Sequence, residues 1–136
     1  MKYVVALCVA LVLNATANLL MKTGMKTVHE AGGLLEDGVP TAAATILTSW
    51  PLMVGLACFA LNALFYMYAL QSETLKISIA YPIMVGGGFA LIALAAHWHP
   101  LLRERLAPGQ WLGVALVLAG VVLIAWNSRA ATLTGP

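Results

Sequence analysis

Apolar residues run through this chain in four long blocks, and charged residues are concentrated in the gaps between them. A membrane-spanning helix needs about 20 apolar residues, because each adds about 1.5 Å toward a hydrocarbon core about 30 Å thick. The pattern predicts spans over 3–21, 46–70, 75–96 and 111–126. Lys2 and Lys22 bracket the first, the tight turn Gln71-Ser72-Glu73-Thr74 separates the second from the third, and a basic connection over 97–110 leads into the fourth. Trp50, Trp98, Trp111 and Trp126 all fall near span ends, where indole rings favour the membrane–water boundary. Four crossings bring both termini to the same side. The expected fold is an all-α, multi-pass membrane protein, one four-helix domain over 1–136.

The stretch 26–49 reads differently. It holds Gly32-Gly33, Pro40 and the acids Glu30, Glu36 and Asp37, and its apolar period is too weak for a helix, so a solvated connector is expected. No internal repeat or low-complexity segment stands out.

Composition agrees with the span pattern. Of 136 residues, 62% are hydrophobic and only 9% charged, against roughly 25% charged in soluble domains. The mean hydropathy is +0.92. A soluble domain of this size cannot hide so much apolar surface, and a net charge of +2 gives no footprint for nucleic acid. Cys8 and Cys58 are too isolated for a disulfide framework or a zinc site. A second pattern also fits the first segment. Lys2, an apolar run and Ala15-Thr16-Ala17 resemble a secretory leader with its cleavage site, but cleavage would leave three spans and an unpartnered bundle. Asn14-Ala15-Thr16 matches a glycosylation acceptor, and a position inside a span makes that a coincidence.

Within the spans, a few polar residues carry the candidate chemistry. Asn14, Asn18 and Lys22 recur every four residues on the first span, an arc of about 80°. Polar groups in a span face a bundle interior or cavity, since a central lysine costs about 2.5–3.5 kcal/mol on insertion scales. Two roles fit this stripe. It can bind a polar head group. Alternatively, the asparagines act as interhelical glue at about 0.6 kcal/mol each, and Lys22, about 28 Å along the helix from Tyr3, snorkels to the headgroups. Asn62 and Tyr66 share a face of the second span, as a substrate wall or as packed core. In the third, Pro82 removes the backbone hydrogen bond that would reach Ser78, and Gly86-Gly87-Gly88 permit bending or close helix approach. With the proline, Tyr81 completes the candidate path. His97-Trp98-His99 lacks metal-site spacing, and the acids lie in loops or at span ends with no nucleophile–base pair. No metal, cofactor or catalytic residue is expected, and the chain does not read as an enzyme.

Gly113 and Gly120, seven apart in Gly-Val-Ala-Leu-Val-Leu-Ala-Gly, resemble the dimerisation segment in the fourth helix of small multidrug resistance proteins. Glu104-Arg105-Leu106, then Gln110-Trp111-Leu112-Gly113 and Ala119-Gly120-Val121, resemble the EamA-type signature. Ile79-Ala80-Tyr81 followed by the glycines resembles the third-helix region of both groups. In this order, the stretches resemble the short four-helix branch of the drug/metabolite transporter superfamily. One departure matters. Small multidrug resistance proteins carry a buried glutamate in the first helix, and the matching position here is Asn14, which cannot titrate. Asn18-x-x-x-Lys22 is instead similar to the Gln-x-x-x-Lys of subunits that flip aminoarabinose-linked undecaprenyl phosphate.

The resemblance implies a transporter or flippase in the cell inner membrane, moving an amphipathic, anionic, lipid-linked or phosphate-bearing substrate. Asn14, Asn18, Lys22, Asn62, Tyr66 and Tyr81 are the candidate substrate residues. Alternatives are a small multidrug or cation exporter, or a non-transporting accessory subunit. Longer superfamily members are tandem repeats with the site between them. This single repeat therefore implies a homodimer, or a heterodimer with a paralogue, through Gly113 and Gly120. Lys2, Lys76 and Arg129 lie on the terminal side, against Lys22, Lys26, Arg103 and Arg105 opposite. This near balance gives little orientation bias.

Overall fold

A computed structural model of the chain describes residues 1–30, 39–73, 75–98 and 106–133. They form five helices: α1 (Lys2–Glu30), α2 (Val39–Thr48), α3 (Trp50–Leu70), α4 (Ile77–Trp98) and α5 (Pro108–Leu133). Four candidate spans, made by α1, α3, α4 and the Pro108–Asn127 part of α5, are long and apolar enough to cross a membrane. The chain is a multi-pass membrane protein.

The boundaries around the first connector differ from the sequence expectation, and α5 runs past the expected end at 126. At 29 residues, α1 is about 43 Å long, so it continues past Lys22 and leaves the hydrocarbon while still helical. Part of the expected connector is α2, which packs on α3. Pro40 sits at its second position, where a proline costs no intrahelical bond. The chain then breaks at Ser49, whose extended backbone (φ −81°, ψ 99°) precedes α3, and Pro51 occupies the first turn of α3. Residues 31–38, including Glu36 and Asp37, lie outside the described residues, as do 99–105 with His99, Arg103, Glu104 and Arg105.

The spans pack in the order α3, α1, α4, α5. α1 and α3 run antiparallel. Gly24 lies on Leu52, Gly55 lies on Ala17 and Met21, and the Tyr3 and Tyr68 rings meet at 5.4 Å at the other end. α1 and α4 run parallel, with Ala6, Leu7 and Ala10 buried against Ala80 and Met84.

α4 continues as helix through Pro82, and its three glycines serve three contacts. A Cβ on Gly86 would lie 2.5 Å from Val121 of α5, one on Gly87 2.5 Å from Leu11, and one on Gly88 2.9 Å from Asn14. The close approach expected from the sequence is therefore realised on two sides at once. α5 packs on α4 through Ala90, Ala93 and Val114, and His97 meets Trp111 edge-on at 5.5 Å. Only 6% of the most apolar window of α5 is buried, so most of this helix faces outward.

Candidate functional site

Asn14 stands near the middle of α1, where it meets α4 at Gly88. The asparagine lies over a backbone with no side chain of its own, so the two helices close tightly at that level. One turn on, the Asn18 amide donates to the Asn14 carbonyl at 2.8 Å, with the Asn14 Oδ1 at 3.4 Å. The two amides thus form one hydrogen-bonded ladder. Beyond the Gly88 contact the stripe is uncovered, since Asn18 and Lys22 are both exposed. Lys22 is engaged in an interaction of its own. The result is a polar track along α1 from the exposed Lys22 to the half-buried Asn14.

Asn62 and Tyr66 lie on α3, which packs against α1. The antiparallel register sets Asn62 level with the turn from Leu11 to Asn14, and Tyr66 packs on the cluster of Ala6, Leu7, Ala10 and Met84. Asn62 is 5% exposed. Its Oδ1 and the Tyr66 hydroxyl are buried, and neither has a hydrogen-bond partner among the described residues. A buried carbonyl oxygen left unpaired costs about 1–3 kcal/mol. Buried packing does not by itself account for a polar residue at this position.

Tyr81 stands on α4, near enough to Tyr66 for the two phenols to interact electrostatically. It is 59% exposed and lines an apolar groove of about 480 Å³ between α4 and α5, with Pro82, Val85, Phe89, Val117 and Gly120. Gly113 and Gly120 have no atom within 4 Å of an added Cβ. Both are open positions on α5. Among the described residues, no group of three His, Cys, Asp or Glu could hold a metal.

Sequence reasoning missed the pairing of Asn14 with Gly88 and the uncovered state of Asn18. The glycine triplet signalled a close approach, but nothing in the sequence named its partner.

The comparisons with known proteins bear on this arrangement. "Uncharacterized protein y4nH" of Sinorhizobium fredii is 34% identical over 112 residues, which are 82% of this chain and 85% of that protein. "Probable 4-amino-4-deoxy-L-arabinose-phosphoundecaprenol flippase subunit ArnF" of Aeromonas hydrophila is 40% identical over 81 residues. The chain belongs to the same family as y4nH, and over part of its length it is similar to these flippase subunits. The corresponding ArnE subunit of Salmonella paratyphi B is 37% identical over 75 residues. The match spans 60% of this chain and 53% of the ArnF protein, and 54% and 63% for ArnE. The ArnF and ArnE proteins carry the name of flippase subunits. No family model matches the chain, and no solved structure matches it.

Proposed function

We propose that this protein is a subunit of an inner-membrane flippase that moves an amphipathic, anionic, lipid-linked or phosphate-bearing substrate. The observation that carries the reading is the uncovered polar track Lys22–Asn18–Asn14 on α1. A lysine at the boundary of a low-dielectric region attracts an anion far more strongly than it would in water. Asn18 and Asn14, one and two turns deeper, offer neutral donors and acceptors that follow a head group inward. Because the track is open on its flank, the acyl or prenyl chain can stay in the lipid while only the head group crosses.

Asn62 contributes an acceptor at the inner end of the track. Tyr66 lies a turn away, and Tyr81, beside it on α4, also lines the α4–α5 groove. One four-helix repeat supplies half of a two-repeat transporter, so the working unit is a homodimer or a pair with a paralogue, joined through the outward face of α5. The relatives carrying the subunit names support this reading. Asn14 in place of a titrating glutamate argues against proton-coupled cation export.

The test is transport in liposomes. Purified protein, alone and with its paralogue, should translocate a fluorescent phosphoprenyl lipid between leaflets. Proton-coupled efflux of a cationic dye, without movement of the lipid, would sink the proposal.

A further inference from the structure

We propose that the crevice between the last turns of α1, the end of α2 and the start of α3 binds the hydroxyl-rich headgroup of a membrane lipid. Its volume is about 340 Å³, and Thr27, Thr45, Thr48, Ser49 and Trp50 supply its polar lining. That volume lies at the small end of the roughly 300–1,000 Å³ of ligand pockets. It suits one sugar ring or a glycerol group.

The chemistry of the lining selects the ligand. The Thr45 hydroxyl donates to the Thr41 carbonyl at 2.8 Å, that of Thr48 to the Ala44 carbonyl at 2.9 Å, and that of Thr27 to the Thr23 carbonyl at 3.5 Å. Each hydroxyl proton is committed to its own helix, so each oxygen offers lone pairs to the crevice. Ser49 stands at the N-cap of α3, where a serine side chain usually bonds the first turn, yet it makes no such bond. Its hydroxyl is left for the crevice as well.

A phosphate needs several donors, and this lining has few to give. An ammonium group calls for a carboxylate, and among the described residues the lining contains none. A neutral alcohol, which brings its own protons, matches the set of acceptors. Trp50 is 70% exposed at the start of a span, the position at which indoles sit among headgroups. The occupant therefore lies in the headgroup layer and belongs to a lipid. This site does not depend on the transport reading, because neither Lys22 nor either asparagine of the track lines it.

Native mass spectrometry of the full chain in detergent tests it. The protein is titrated separately with phosphatidylglycerol, a monoglucosyl diacylglycerol and phosphatidic acid, all with the same acyl chains. At least one of the two hydroxyl-bearing lipids should be retained about fivefold better than phosphatidic acid, as one hydrogen bond of about 1 kcal/mol implies. Whichever of the two is retained tells a glycerol headgroup from a sugar. Equal retention of all three overturns the proposal. Thr45→Val with Thr48→Val should abolish the preference, whereas Thr16→Val, which removes a hydroxyl bonded to Val12 on an exposed part of α1, should keep it. A preference that survives in the double variant, or in Thr48→Val alone should the double variant lose its helical circular dichroism, also overturns the proposal.

Discussion

A Cβ placed on Gly88 would lie 2.9 Å from Nδ2 of Asn14, so the polar residue at the inner end of the track fixes how closely α1 and α4 can pack. Gly88→Ala should push this asparagine aside and destabilise the bundle by about 1–3 kcal/mol, the usual cost of overpacking. In an Asn14→Ala background most of that cost should vanish. A double-mutant cycle by denaturation in detergent checks this, and simple additivity would show that the two residues do not compete for one space.

Asn62 should trade stability for activity. Its Oδ1 is buried without a donor, so Asn62→Leu should raise unfolding free energy in detergent by about 1 kcal/mol or more. Lipid translocation should fall in the same variant. Lower stability with unchanged translocation would mean that the amide is structural glue.

On α5, Gly120 and Gly86 of the neighbouring helix make a matched pair for separating assembly from folding. Nothing lies within 4 Å of a Cβ on Gly120, whereas one on Gly86 meets the stiff Val121 side chain. Gly120→Leu should leave circular dichroism and melting unchanged while reducing cross-linked dimer. Gly86→Leu should lower the melting temperature. Full cross-linking in Gly120→Leu removes this interface.

Lys22 carries the charge of the track. Lys22→Gln should lower transport of an anionic lipid about tenfold or more, as loss of a charge-assisted bond implies, with expression and dimerisation intact. Lys22→Arg should retain part of the activity, since charge survives while geometry changes. Normal transport by Lys22→Gln would make the residue a membrane anchor.

Orientation offers a further check. With positive charges nearly balanced across the spans, reporters fused to the C-terminus should be found on both sides of the membrane, as an antiparallel homodimer requires. A single-sided result excludes that arrangement.

The four spans and the α1 stripe were legible because both depend on composition and the helical repeat alone. Blocks of about 20 apolar residues must become helices in lipid, where every backbone group needs an internal partner, and residues four apart share a face whatever surrounds them. Helix ends were less legible. α1 runs past Lys22 because leaving the hydrocarbon does not end a helix; only a cap or a breaker does. α2, a short Ala- and Thr-rich stretch, packs on α3.

The partners of each face were decided by tertiary structure. In water, the apolar face of a helix marks its buried side, but lipid is as apolar as a bundle interior, so the same cue is lost in a membrane. Leu11 and Leu118 look alike in sequence, yet Leu11 lies over Gly87 while Leu118 is exposed. For the same reason the sequence does not show that Tyr66 packs on the α1–α3–α4 core while Tyr81, near enough to interact with it electrostatically, also lines the α4–α5 groove. The sequence determined which residues are polar and how they are spaced along each helix. The crossing of α1 with α4, permitted by Gly87 and Gly88, which add no side-chain bulk, set Asn14 against α4 and left Asn18 and Lys22 exposed.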